Sequence, residues 1–452
     1  MWYALIDAQR RLTRAMAERL PEESACTPAA QAPWAMPTEA ASAFRDWILR
    51  STCAFEQAPP FAIDAVAGDV TTDESWIPID ESIADTLPVG TLRKFTRNRI
   101  APEAAGKWPV ILCSPLAGHH AVMMRETVET LLEHRDVYIT DWADARDVPP
   151  EAGPLPLDDY VLALERFVRT ARAHGTPVHV MAVCQGTVPT LAAAALLASS
   201  QDAPFASVAL LGGPIDTRLH PTLIDRFARS HTLDWFRTHA IDAVPAPYRG
   251  AGRRVYPGFV QQAAINAAHP ERHLRLEGRY WASWLAGDMP GALNALRSLN
   301  EYAAVLDMAE CYFLDIIRVV FHEHLLPQQT WSVAGRHVTT DALRDTSLCT
   351  IEGDHDDIAG EGQTHCAHDL CNTSRARAGG KITVPRCNHY DLFTGERWRD
   401  AVHPGLCDFW RDVERDASAI PHGDARQDPL AGDTRDASTK APARTTMPRS
   451  AP

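Results

Sequence analysis

Three residue types, met in one order along the chain, can carry out acyl transfer: a thiol at Cys184, a carboxylate at Asp356 or Asp357, and an imidazole at His389. A thiol or hydroxyl nucleophile needs a base to take its proton, and that base needs an acid to orient it. Taken singly, each residue has an ordinary explanation. A free cysteine is usually a small core hydrophobe, an aspartate after a strand a turn residue, and a lone histidine a surface or satisfied group. The elements that would hold them argue for chemistry.

Residues 177–198, PVHVMAVCQGTVPTLAAAALLA, run from a short β-branched stretch into a long alanine- and leucine-rich one. The first predicts a buried parallel strand and the second a helix. Cys184 falls on the turn between them, with Ala182 two residues before and Gly186 two after. This is the layout of the nucleophile elbow of α/β-hydrolases, normally G-x-S-x-G, where strand and helix pass so closely that only small residues flank the nucleophile. A thiol at a helix N-terminus also gains from the dipole, which favours the thiolate.

Strand and helix alternate around the elbow, so the predicted fold class is α/β, a mostly parallel sheet wound with helices. Strands are expected at 92–97, 108–113, 136–142, 207–211, 347–353 and 381–385, with helices at 121–134, 157–173 and 406–413. In such a fold the order is nucleophile, acid, histidine, each on the loop after a strand. Asp356 is preferred to Asp357 because Gly353 can turn the chain and bring it back over the sheet edge. The oxyanion hole is expected from the N–H groups of Gln185 and Leu116, the latter in the loop Ser114-Pro115-Leu116-Ala117-Gly118, where Pro115 has no N–H to give.

Two clusters of metal-ligand types are set aside. The stretch Thr364–Cys371 lacks paired C-x-x-C spacing and spreads its ligands around a helix, and His322-Glu323-His324 is not H-E-x-x-H. No metal is expected.

The 452 residues can bury a large core and divide into several units. Residues 1–86 are expected as an N-terminal helical segment and linker, with Trp2, Leu5, Ile6, Leu12, Met16 and Leu20 on one helical face that docks on the protein's own body. Residues 87–213 and 341–415 should form the core, 214–340 a largely helical, aromatic-rich cap insertion, and 416–452 a disordered tail. A net charge of −14 argues against nucleic acid. No apolar run approaches the ~20 residues of a transmembrane helix. The opening MWYALIDAQRRL lacks the pattern of a signal peptide, and ten scattered cysteines fit reduced thiols in the cytoplasm.

Several motifs together resemble the intracellular polyhydroxyalkanoate depolymerases: MWYALIDAQR, Ser114-Pro115-Leu116-Ala117-Gly118-His119-His120, Ala182-Val183-Cys184-Gln185, Ile351-Glu352-Gly353 with Asp356-Asp357-Ile358, Gly362-Gln363-Thr364, Ala367-His368-Asp369-Leu370, and His389-Tyr390. The likeness runs to about residue 413. One departure is Gly186, where that family is expected to have proline. The resemblance implies a Cys184–His389–Asp356 triad that cleaves esters of amorphous poly(3-hydroxybutyrate) at cytoplasmic granules. It implies an acyl-thioester intermediate released by water, or by coenzyme A as acyl acceptor, and no bound cofactor. Two alternatives are a polyhydroxyalkanoate synthase-like acyltransferase, whose elbow usually reads glycine–x–cysteine–x–glycine-glycine, and a non-catalytic granule-associated protein.

Overall fold

The computed structural model describes residues 2–19, 38–51, 58–68, 76–98, 107–172, 176–200, 205–268, 270–372 and 380–419. Nine strands form one sheet: β1 (Ala65–Ala67), β2 (Trp76–Leu87), β3 (Gly90–Arg97), β4 (Val110–Cys113), β5 (Val137–Trp142), β6 (Val178–Val183), β7 (Phe205–Leu211), β8 (Ser347–Gly353) and β9 (Gly380–Val384). Their order is β1-β2-β3-β5-β4-β6-β7-β8-β9. The first three pair antiparallel, β3 meets β5 antiparallel, and every later pair is parallel. An antiparallel lead strand, a β5-β4 swap and parallel strands beyond define the α/β-hydrolase fold.

Helices α1 (Trp2–Ala17) and α2 (Thr38–Ser51) precede the sheet, and α3 (Arg125–Leu132), α4 (Leu157–Ala171) and α5 (Thr187–Ser199) wind through it. Between β7 and β8 lie α6 (Leu223–Ser230), α7 (Leu233–His239), α8 (Gly258–Ala268), α9 (Pro270–Leu285), α10 (Met289–Ala303) and α11 (Glu310–Ile316). A last long helix, α12 (His403–Ala419), closes the described chain.

β6 is buried at every position. Its Val178, Val180 and Ala182 join the core beneath α4 and α5, while Met181 and Val183 join the core on the opposite face, with Val128 of α3 and Trp410 of α12. A strand covered on both faces has no reason to alternate polar and apolar residues. α12 is tied to the sheet by Glu414, which meets His179 Nε2 and Arg135 at 3.1 Å each.

The N-terminal region departs from expectation in two ways. Residues 1–86 carry β1 and β2 besides the helices. β2 is an exposed antiparallel strand whose buried residues are Ile77 and Ile79, followed by an acidic stretch, so it lacks an apolar run. α1 docks on the body by only part of the predicted face: Trp2 and Ile6 are half-buried, Trp2 against the core. Leu5, Leu12 and Met16 are 73%, 62% and 62% exposed, and the buried residues are Tyr3, Asp7 and Ala17. Apolar and polar contacts dock it together: Trp2 and Tyr3 pack on Phe259, with ring centroids 6.3 and 5.4 Å away, while Tyr3 Oη donates to Asp307 at 2.5 Å, Tyr3 N to Asp242 at 2.9 Å, and Tyr248 Oη to Asp7 at 2.8 Å. Leu20, most of the expected linker and residues 420–452 lie outside the described residues.

Candidate active site

Cys184 sits at the C-terminal end of β6 with φ +54°, a left-handed backbone that non-glycine residues rarely adopt. The strand feeds straight into a single tight turn, Cys184–Gly186, and then α5. The turn lifts the thiol off the sheet edge. A Cβ at Gly186 would lie 2.8 Å from the carbonyl oxygen of Ser114 at the end of β4. Close approach of the next strand, not backbone angle, therefore demands glycine there. Thr187 Oγ1 donates to Cys184 O at 2.7 Å and braces the bend.

The acid loop follows β8. Asp356, rather than Asp357, meets the histidine: His389 Nδ1 donates to Asp356 Oδ2 at 2.8 Å, and both side chains are nearly sealed from solvent. Asp356 Oδ1 accepts from the N–H groups of Ile358 and Ala359, both at 2.9 Å, so the carboxylate cannot rotate without losing three hydrogen bonds. Gly353 serves the loop through space as much as through the turn. A Cβ on it would stand 2.3 Å from the carbonyl oxygen of Cys387, so the acid and histidine loops touch backbone to backbone.

Burial alone would push the His389 imidazole down. The Asp356 carboxylate and then the Cys184 thiol overcome this and hold it well above the ordinary histidine range. Nε2, the other ring nitrogen, has no well-aligned hydrogen bond, and the Cys184 thiol lies on that side. The structure thus joins imidazole to carboxylate and brings the thiol to the same cavity as the imidazole.

Gln185 follows the thiol in the turn and lines the cavity over it, and Leu116 lies in the loop after β4, between Pro115 and Ala117 of the cavity wall. The N–H of Gln185 is in the first turn of a helix, where such donors have no helical partner. Among the described residues no group accepts from Leu116 N–H. Its carbonyl, in contrast, is fixed by Tyr312 Oη of α11 at 2.9 Å. Burial holds that phenol well above its usual pKa, so it stays a donor. The loop is also stitched to the cap by Leu306 N to Gly118 O at 2.8 Å and His120 N to Ala304 O at 3.1 Å.

Three residues that brace this site carried no assigned role in the sequence. The buried Glu352 accepts from the N–H groups of Thr364, His365 and Gly362 at 2.7, 2.8 and 2.8 Å, curling the chain that follows Asp356. Gln363 Nε2, also buried, donates to Asp225 at 2.8 Å and to Leu219 O at 3.0 Å. Nothing in a single sequence distinguishes such a carboxylate or amide from any other. The useful signal was position: Glu352 lies at the end of β8, Gln363 follows that strand, and Asp225 caps α6.

A cavity of about 480 Å³ opens over Cys184 and His389. Its far wall comes from the cap and is apolar, including Phe236, Tyr256, Phe313, Ile316 and Phe321. Of the aromatics expected in the cap, Phe236 and Tyr256 reach the cavity, whereas Tyr280, Trp281 and Trp284 pack together against Leu299 of α10.

The two sequence clusters set aside as metal sites behave as structural groups. His365 and His368 turn to the Thr350 hydroxyl at 2.7 and 3.1 Å, and His322 and His324 engage separate backbone carbonyls at 2.9 Å each. A different trio, His134, His403 and Cys407, brings its ligand atoms within 4.8 Å of one another. It sits at the opposite sheet edge from Cys184. Lys107 and Arg135 act on all three groups and Arg411 on the thiol, which opposes a cation there.

Residues 212–414 match the model of a protein family described as PHB de-polymerase C-terminus. No protein of curated function matches the sequence significantly. Among solved structures, a thermophilic esterase from Thermogutta terrifontis is similar at 12% identity, over 77% of this chain and 98% of its own, with a TM-score of 0.39. Carboxyl esterase 2 from the mycorrhizal fungus Tuber melanosporum is similar at 11% identity, over 82% of this chain and 97% of its own, with a TM-score of 0.40.

Proposed function

We propose, from the match of residues 212–414 to that family and from the geometry of the site, that the protein is a depolymerase of aliphatic polyester. Its substrate on this reading is amorphous poly(3-hydroxybutyrate) held as granules in the cytoplasm. The observation that carries the reading is a thiol at φ +54° on a strand-to-helix elbow, facing an imidazole whose other nitrogen is held 2.8 Å from a buried carboxylate.

In this mechanism His389 Nε2 takes the thiol proton as Cys184 Sγ attacks the ester carbonyl, and Asp356 stabilises the imidazolium. The tetrahedral oxygen is received by the N–H groups of Gln185 and Leu116. His389 then gives its proton to the departing alkoxide. The C–O ester bond breaks, and an acyl thioester remains on Cys184. Water, deprotonated by His389, attacks that thioester and releases a 3-hydroxy acid and the regenerated thiol. Where coenzyme A takes the place of water, the product is a 3-hydroxyacyl thioester. The apolar cap wall suits a chain of short aliphatic repeats and excludes bulk water from the thioester.

The test is to incubate the purified protein with amorphous poly(3-hydroxybutyrate) particles, with and without coenzyme A, and to identify the products. Release of 3-hydroxybutyrate or its coenzyme A ester is expected, with a loss of about 10⁴-fold or more in Cys184→Ala. Full activity in Cys184→Ala removes the triad. Polymer growth from 3-hydroxybutyryl-coenzyme A makes the protein a synthase instead.

A further inference from the structure

The cavity over Cys184 does not end at a polar rim. Two of its wall residues, Leu223 and Phe227 of α6, are 65% and 48% exposed, so the same side chains line the cavity and face the outside. Leu219, in the turn just before α6, is 38% exposed and extends the ridge beyond the cavity. Large apolar side chains in such a row normally mark a surface that meets something apolar.

We propose that this ridge, Leu219–Leu223–Phe227, is where the protein seats on the surface of amorphous aliphatic polyester, feeding a chain segment directly into the cavity. The proposal rests on the polyester-esterase reading above. Its occupant follows from continuity: an insoluble substrate can reach Cys184 only through the cavity mouth, and the ridge is part of that mouth. Charge agrees. The acids of this segment are buried or paired, Asp225 within the α6 cap and Asp216 with Arg218 at 2.7 Å, while Arg226 is exposed. On a chain of net charge −14 this local balance suits a polymer surface bearing ester carbonyls and carboxylate ends.

The ridge is held in place and does not fold inward. Thr222 and Asp225 form a capping box at the start of α6, and Asp225 Oδ2 accepts from Thr222 N at 2.7 Å and Gln363 Nε2 at 2.8 Å. Gln363 lies in the loop that begins at Asp356, and Thr222 Oγ1 reaches Ile358 O in that loop at 3.4 Å. His322 Nε2 donates to Ala228 O at 2.9 Å from the other side. The docking ridge and the catalytic acid therefore share one brace, which sets the distance from polymer surface to thiol.

The experiment pairs two readouts, co-sedimentation with amorphous poly(3-hydroxybutyrate) particles and hydrolysis of a soluble butyrate ester. Leu219→Glu lies outside the cavity; it should weaken particle binding about tenfold or more while hydrolysis of the soluble ester stays within about twofold. Leu223→Glu should lower both, particle binding more. A control replaces Leu5, Leu12 and Met16, the exposed stripe of α1, with serine. Unaltered particle binding in Leu219→Glu, or binding lost only in the α1 variant, overturns the proposal and leaves the esterase reading intact. Failure of the unsubstituted protein to cleave either ester removes that reading, and the docking ridge falls with it.

Discussion

The two walls of the cavity are built on opposite principles. On the sheet side the orienting groups have fixed partners: Asp356 accepts three hydrogen bonds, His389 is clamped at Nδ1, and Glu352 gathers three backbone N–H groups. On the cap side the contacts are among Phe236, Tyr256 and Phe313, whose ring centroids lie 4.3 to 5.8 Å apart along the chain of contacts, and among the described residues no side-chain hydrogen bond fixes these rings. A polar wall fails when one partner is lost, because the other is left buried and unpaired. An apolar wall degrades in proportion to the volume removed. Substitutions on the two sides should therefore differ in kind.

The largest effect is expected at the orienting acid. Asp356→Asn keeps the shape but removes the charge that holds His389 in its tautomer, so kcat/KM should fall about 10³- to 10⁴-fold. A loss below tenfold would mean that Asp356 does not orient the base. Next comes Tyr312→Phe, which frees the carbonyl of Leu116 and loosens one oxyanion donor. A five- to tenfold drop in kcat with KM nearly constant is expected, from about 1 kcal/mol of lost hydrogen bonding. A change confined to KM would place Tyr312 with the apolar wall instead.

A third measurement uses pH. His389 binds its proton more tightly in the folded protein than in the unfolded chain. The pair with Asp356 therefore contributes its full stabilisation below about pH 6.5, the unfolded value, and loses it as pH rises through the higher native value. The stability gap between unsubstituted protein and Asp356→Asn, read from urea unfolding, should narrow as pH rises above about 6.5. Parallel curves across that window would contradict the shift. The smallest effect belongs to the cap. Ile316→Val removes one methylene from the cavity wall and should raise KM two- to tenfold with little change in kcat. A collapse in kcat there would erase the distinction between the walls.

The sequence made the sheet side legible for a physical reason. Strands buried on both faces, such as β6 and β8, appear as unbroken apolar runs, and the turn after each stands out against them. That is why Cys184 and Asp356 stand out in the sequence, whereas His389 follows the largely exposed β9 and is marked by its order in the chain. β2 was invisible because an exposed edge-side strand alternates with acids and carries Pro78. α1 misled in part: Trp2 docks as its amphipathic pattern implies, but the rest of the contact runs through Tyr3 and Asp7, which look polar in a sequence. Glu352, Gln363 and Asp225 stayed hidden because their value lies in partners 10 to 144 residues away.

The contact between Gly353 and the Cys387 carbonyl has a consequence for anyone wishing to move this chemistry elsewhere. Residues 353–364 and 385–390 nest so tightly that neither can be transplanted by itself. A graft onto another scaffold would have to carry both segments as a matched pair, with their relative spacing preserved, before any choice of nucleophile mattered.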